Sequence, residues 1–346
     1  VLTSGSGIHT LEQLYIKKYQ GDSMHIVITG GAGFLGSHLA RQLLTRGTLT
    51  GTNGQPQTIS RITLLDVVEA KGFNDPRIDA VKGDIADSAT IDRVITKDTQ
   101  SIFHLAAIVS GQAEEDFELG MRINFDATRL ILDRARTLGT KPRVIFTSSV
   151  AVYGGDLPAI VPDNIQLMPQ GSYGAQKAMG ELLVNDYSRK GYIDGRALRM
   201  PTISVRPGAP NKAASSFASG IIREPLNGQK SVCPVSPDTR LWILSPRKAI
   251  ETLLHAHELN GDAFGKERFL AVAGLSVTVH DMVTALEQVA GKAVCDLIEW
   301  KEDANITRLV NTWPGNFEAK RAKAMGFTAD TNYADIIRAH IEDTAQ

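Results

Sequence analysis

Between residue 24 and about residue 202 the chain alternates short apolar runs with longer stretches that repeat an apolar residue every three to four positions. The runs at 24–29, 61–66, 80–82, 101–105 and 144–146 have the length of strands. The periodic stretches predict helices over 34–46, 88–95, 114–138 and 173–190. Such alternation implies an α/β fold, a doubly wound parallel sheet of the Rossmann kind. Residues 47–60 interrupt it; rich in Gly, Thr, Asn and Gln, they read as a polar loop insertion. After residue 203 the pattern changes. Pro207, Pro210, Pro225, Pro234, Pro237 and Pro246 break the chain into shorter elements, and helical periodicity returns at 279–289 and 332–341.

The first apolar run leads into Thr29-Gly30-x-x-Gly33-x-x-Gly36 and then a helix. Gly30 permits a tight turn, Gly33 lets backbone approach a pyrophosphate, and Gly36 lets the helix pack close to the sheet. The helix then opens on Phe34 and Leu35, whose amides face the phosphates of a dinucleotide. The second run ends in Asp66, suited to the adenosine ribose hydroxyls and repelling a 2′-phosphate, which favours NAD over NADP; Glu69 is the alternative ribose ligand. Asp84 and Ile85 follow the third run, near the adenine, and Ala106 and Ala107 follow the fourth, small enough for a dinucleotide to lie against the backbone.

The fifth run delivers Ser148 and Ser149 to its carboxyl end. Downstream, Tyr173 and Lys177 stand four residues apart, one above the other on a helical face. A lysine cation, helped by an oxidised nicotinamide, favours a phenolate; lowering the tyrosine pKa by ~3 units takes roughly 4 kcal/mol. Ser149 is placed to hold a substrate hydroxyl toward that base.

The net charge of −1 and pI near 6.8 carry no footprint for nucleic acid or a membrane surface. Two cysteines, Cys233 and Cys295, lack metal-ligand spacing, so they read as reduced thiols of a cytoplasmic protein, and no metal is expected. Residues 1–23 have no unbroken apolar core and read as an N-terminal extension, neither signal peptide nor membrane span.

In this order the glycine motif, Gly83-Asp84-Ile85, His104-Leu105-Ala106-Ala107, Asn124, Ser149 and Tyr173-x-x-x-Lys177 resemble the extended short-chain dehydrogenases/reductases of the epimerase/dehydratase family. The resemblance runs from about Met24 to the C-terminus. It implies an NAD-binding Rossmann domain over 24–203 and a smaller substrate domain over 204–346 whose late segments fold back onto the first. It assigns Tyr173 as base, Ser149 as the group that orients the hydroxyl, Lys177 as the tuning residue that also holds the nicotinamide ribose, and Asn124 as support for a proton relay. Ile203 joins the cofactor set. His104 is expected simply to pack and hydrogen-bond.

Substrate class rests on what surrounds that core. Sugar-nucleotide dehydratases carry an acid pair after the catalytic hydroxyl, and here Val150 and Ala151 stand there, so dehydration is disfavoured. The stretch 198–215, with Ile221 to Leu226 and Arg240 to Arg247, resembles the D-erythronate dehydrogenase group of the family, which oxidises the C2 hydroxyl of a four-carbon sugar acid. Arg206, Asn211 and Arg240, with Ser148 and Ser149, are then the expected substrate ligands, Arg206 ahead of Arg240 for the carboxylate. A nucleotide-sugar epimerase is the alternative; a non-catalytic dinucleotide-binding regulator is a remote one. A homodimer is expected through helices carrying Phe117, Met121, Ile131, Leu132, Met179, Leu183 and Tyr187.

Overall fold

The computed structural model describes residues 23–345; the expected N-terminal extension lies outside the described residues but for Ser23. The first half follows the alternation closely. β1 (Ser23–Thr29) leads into α1 (Phe34–Arg46), which stops at Gly47 in the left-handed conformation. Then come β2 (Thr48–Thr50), β3 (Pro56–Asp66), β4 (Ile78–Lys82), α2 (Ser88–Val94) capped by the Asp87 carboxylate, and β5 (Thr99–His104).

The expected loop at 47–60 is instead an antiparallel hairpin, with Thr48 opposite Thr58 and Thr50 opposite Pro56. Its polar composition hid a strand alternation. Leu49 and Ile59 face the core while Thr48, Thr58 and Ser60 face out.

The long helix expected over 114–138 is broken. α3 (Ser110–Glu115) ends at Asp116, whose side chain caps α4 (Phe117–Gly120) by accepting from Leu119 N. A π-helical turn, Met121–Asp126, then feeds α5 (Ala127–Leu138). β6 (Arg143–Ser149), α6 (Ser172–Arg189) and β7 (Asp194–Met200) complete this half. α6 packs close to β6 and to the 3-10 turn that follows it: a Cβ at Gly174 would fall 2.0 Å from the Ala151 carbonyl oxygen of that turn, and one at Gly180 2.7 Å from the Phe146 ring of β6.

The second half continues with β8 (Thr202–Ile203), α7 (Phe217–Leu226), β9 (Ser231–Cys233), β10 (Arg240–Leu244) and α8 (Pro246–Glu258). β11 (Phe269–Ala271), β12 (Leu275–Thr278), α9 (Val279–Ala290), α10 (Lys292–Cys295), β13 (Ile298–Trp300), α11 (Ala304–Val310), α12 (Lys320–Ala324) and α13 (Tyr333–Thr344) follow.

The central sheet has the order β11-β7-β6-β5-β1-β3, with β4 parallel to β3 and only the β2 hairpin antiparallel. From β1 the chain moves outward through β3 and β4, then returns to β5 and proceeds the other way. The carboxyl ends of β1 and β5 therefore form a switch point, where a doubly wound sheet opens a crevice. β11 and α8 belong to this layer although they come late: β11 pairs with β7 and α8 packs on α1. A second core gathers around the small sheet β12-β10-β8 with α7, α9 and α13.

The residues expected at a subunit interface differ in exposure. Ile131 and Leu132 are buried among the core residues of the central layer, whereas Phe117 is 56% and Leu182, not anticipated, 64% exposed. No helix among the described residues is long and apolar enough to cross a membrane.

Candidate active site

The glycine turn fits a dinucleotide for steric reasons. Gly30 has φ 71°, and a Cβ there would lie 2.9 Å from Ala106 N; a Cβ at Gly36 would lie 2.2 Å from the Gly30 carbonyl oxygen. No side chain caps the N-terminus of α1, so its first amides remain available to an anion. They open onto a cavity of about 490 Å³ lined by Gly33, Phe34, Leu35, Ala106, Ala107 and Ile203, with Asp66, Asp84 and Ile85 at its far side. The Asp66 carboxylate accepts from Ala32 N at 3.1 Å and Val68 N at 3.3 Å, fixed beside the turn; Glu69 is exposed and does not line the cavity. Asp84 pairs with Arg122 at 2.7 Å, and this arginine, which no local pattern announced, also lines the cavity.

A second cavity of about 210 Å³ adjoins the first through Leu35, Leu105, Ala107, Ile203 and Arg206, which line both. Ser149, Tyr173 and Lys177 meet in it. Ser149 ends β6, caps the following 3-10 turn by accepting from Ala151 N at 3.1 Å, and hydrogen-bonds Tyr173. Lys177 is buried. Its Nζ donates to Thr147 O at 2.8 Å and lies 4.7 Å from the Phe146 ring centre and 5.7 Å from that of Tyr173. Burial pulls Lys177 down to about 7, opposed by the Glu181 carboxylate.

The expected partner for the phenol is therefore displaced. Burial pushes Tyr173 up to about 12, and the charge opposing that rise is Arg206, followed by the Ser149 hydrogen bond. Lys177 has turned its ammonium to the end of β6. Arg206 is half-buried, its guanidinium has no hydrogen-bond partner among the described residues, and Arg223 holds its carbonyl through Nη1 at 2.7 Å. Burial and the Arg223 charge lower its pKa while Tyr173 supports it.

Four further expected site residues are engaged by other groups of the protein. Asn124, in the π-helical turn, is buried; its amide clamps both backbone groups of Ile108 at 2.8 and 3.0 Å and donates to Gln176 Oε1 at 2.8 Å. It lines neither cavity and acts on the wall, not in the void. Ser148 lines the reaction cavity, but its hydroxyl is spent on Glu181 Oε1 at 2.5 Å, within a buried network in which Arg199 pairs with Glu181 at 2.7 Å. Asn211 lines the cofactor cavity but not the reaction cavity, and its side-chain carbonyl braces Ala213 N at 2.9 Å. Arg240 opens β10, donates to Ser276 Oγ at 3.3 Å and lines neither cavity. Trp313, Ser110 and Ser215 line the reaction cavity unannounced, because tertiary packing brings these distant segments there. His104 is buried between the hydroxyls of Thr29 and Thr128, and burial takes it down to about 3, as befits a packing residue. Among the described residues no carboxylate lines the reaction cavity, and no cluster could hold a metal ion.

A dinucleotide crevice at a switch point, continuous with a small void holding Ser149, Tyr173 and Lys177, defines a nicotinamide-dependent oxidoreductase class. Residues 26–244 match the NAD dependent epimerase/dehydratase family, and the chain belongs to it. It is 57% identical over 320 residues to a D-erythronate dehydrogenase of Cupriavidus necator, covering 92% of this chain and 98% of the relative. A D-erythronate dehydrogenase of Haemophilus influenzae is 44% identical, covering 92% and 99%. Among solved structures, one described as a nucleoside-diphosphate-sugar epimerase from Agrobacterium tumefaciens superposes with a TM-score of 0.87 at 43% identity, covering 93% of this chain and 95% of that one.

Proposed function

We propose that this NAD-dependent dehydrogenase of the extended short-chain type oxidises the C2 hydroxyl of D-erythronate, giving 2-oxo-tetronate. One observation carries the reading: Arg206, whose guanidinium has no hydrogen-bond partner among the described residues, lines the small cavity that holds Tyr173 and Ser149. A compact carboxylate is what such a fork binds.

In this reading Arg206 holds the carboxylate and Ser149 orients the neighbouring hydroxyl. Tyr173, as phenolate, takes the hydroxyl proton. Bound nicotinamide supplies the hydride acceptor. Gly30, Gly33, Gly36 and the amides of Phe34 and Leu35 would hold the pyrophosphate, Asp66 the adenosine ribose, Asp84 and Ile85 the adenine end, and Ala106, Ala107 and Ile203 the path between. Lys177 would hold the nicotinamide ribose, while Arg206 and the charged ring nearby would bring Tyr173 down from its raised pKa. Asn124 serves as a positioning residue through Ile108. That no carboxylate among the described residues lines this cavity supports oxidation over dehydration, which needs an acid at the leaving group.

A nucleotide-sugar epimerase is the second reading, favoured by the name of the solved relative. Against it stands the segment after Arg206, drawn onto α3 by a bond from Ala214 N to Ser110 Oγ at 3.1 Å and a Lys212–Glu115 ion pair at 2.8 Å. Incubation with NAD and either D-erythronate or a UDP-sugar separates the two. Net NADH with the sugar acid supports the dehydrogenase, and an isomerised UDP-sugar without net NADH overturns it.

A further inference from the structure

Charge is left uncompensated at the opposite end of the central sheet. Arg143 opens β6 and Asp194 opens β7; Arg143 Nε lies 3.3 Å, Arg196 Nη2 3.0 Å and Arg268 Nη1 3.2 Å from the one Asp194 carboxylate. Three guanidinium groups exceed what one carboxylate neutralises, and arginine does not shed its proton. The nearby Glu258 offers little relief, since it is engaged by Arg46 at 2.5 Å and by the Thr50 hydroxyl. Burial and the charges of Arg143 and Arg268 pull Arg196 down to about 10, although Asp194 opposes them.

Of these groups Arg143, Arg268, Asp194 and Glu258 line a cavity of about 420 Å³, while Arg196 is fully buried and not part of the lining. One wall holds Arg143, Arg268 and Lys141, the last in the left-handed conformation with φ 50°. The tip of the β2–β3 hairpin, at Thr52, Asn53 and Gly54, forms another. The acids of the lining are Asp194 and Glu258, both paired, and the exposed Asp262. Among the described residues Arg143 Nη2, Arg268 Nε and Nη2, and Lys141 Nζ have no hydrogen-bond partner, although Arg143 is buried.

We propose that this cavity is a second ligand site, for an oxyanion of the phosphate type, either free or as a small phosphate ester. Forked guanidinium donors match tetrahedral oxyanions, and the volume falls in the range of small-ligand pockets. The site lies a strand length from the reaction, ~20 Å along β6 at about 3.3 Å per residue. The hairpin at 47–60, which has no part in the chemistry, supplies one of its walls.

Titration calorimetry on the whole protein, with saturating NAD and fixed ionic strength, tests this with orthophosphate and with glycerol 3-phosphate as probes. The expected result is saturable binding at one site, weakened at least tenfold by Lys141→Glu and by Thr52→Glu, two exposed rim changes that leave the arginine cluster intact. Tighter glycerol 3-phosphate binding assigns an ester, and tighter orthophosphate binding the free ion. Absence of saturable heat, its abolition by NAD, or unchanged affinity in both variants overturns the site.

Discussion

Replacing Arg206 by alanine tests the proposed chemistry at two levels. The guanidinium is half-buried, has no hydrogen-bond partner among the described residues, and lines the reaction cavity with Tyr173. At ~4 Å and an effective dielectric constant of ~20, a carboxylate–guanidinium attraction is worth about 4 kcal/mol before desolvation. Charge-assisted hydrogen bonds contribute a net of about 1.5–3 kcal/mol. A loss of about 3 kcal/mol in transition-state binding follows, or roughly 100-fold in kcat/KM for D-erythronate. The second effect is on pH. Arg206 is the charge that opposes the upward push of burial on Tyr173, so its removal raises the phenol pKa. The base must be ionised to act, so the rising limb of kcat against pH moves to higher pH. Initial NADH formation across a pH series measures both, with NADH fluorescence confirming that the cofactor still binds. Arg206→Lys keeps the charge but loses the fork, so it should restore the pH limb more fully than KM. A variant within threefold of wild type in kcat/KM, with the same pH limb, refutes the assignment.

Tyr173→Phe should lower turnover about 100- to 10,000-fold with NADH binding by fluorescence nearly unchanged. Asp66→Ser with Val67→Arg should shift coenzyme preference toward NADP, read as the ratio of kcat/KM for the two; wild-type preference for NADP would place the ribose ligand elsewhere. Lys177 has a folded pKa near 7 against 10.5 in its ordinary state, so the unfolded chain binds more protons between those values. Its contribution to stability therefore grows as pH rises through that window and is lost as pH falls toward 7, and the difference in unfolding free energy between wild type and Lys177→Met should change in that direction. Leu182→Glu, at an exposed leucine on α6, should convert a homodimer to a monomer by light scattering; a wild-type monomer would remove the interface altogether.

The parts of the site written in neighbouring residues were readable without coordinates. The glycine turn is such a case, because strand, turn and helix succeed one another without interruption from Ser23 to Arg46, with a local steric need at Gly30 and Gly36. Tyr173 and Lys177 are another, since helical spacing alone places them on one face. Composition misled where periodicity should have ruled: the hairpin at 47–60 is polar, yet Leu49 and Ile59 point inward at strand spacing. The break in the 114–138 helix was equally hidden, because Asp116 works as a cap within a sequence that is amphipathic on both sides.

By itself the sequence determined the sheet, the dinucleotide crevice and the Ser149, Tyr173 and Lys177 set, because these depend on short-range order and on strands that end at one edge. Tertiary structure decided which polar groups remain free to bind. Asn124 and Ser148 carry the expected chemistry, but Ile108, Gln176 and Glu181 have already claimed their hydrogen bonds. Arg240 is spent at the start of β10, whereas the Arg206 guanidinium has no partner among the described residues. A ligand's residue type is local, but its availability is set by distant segments that compete for the same donors and acceptors.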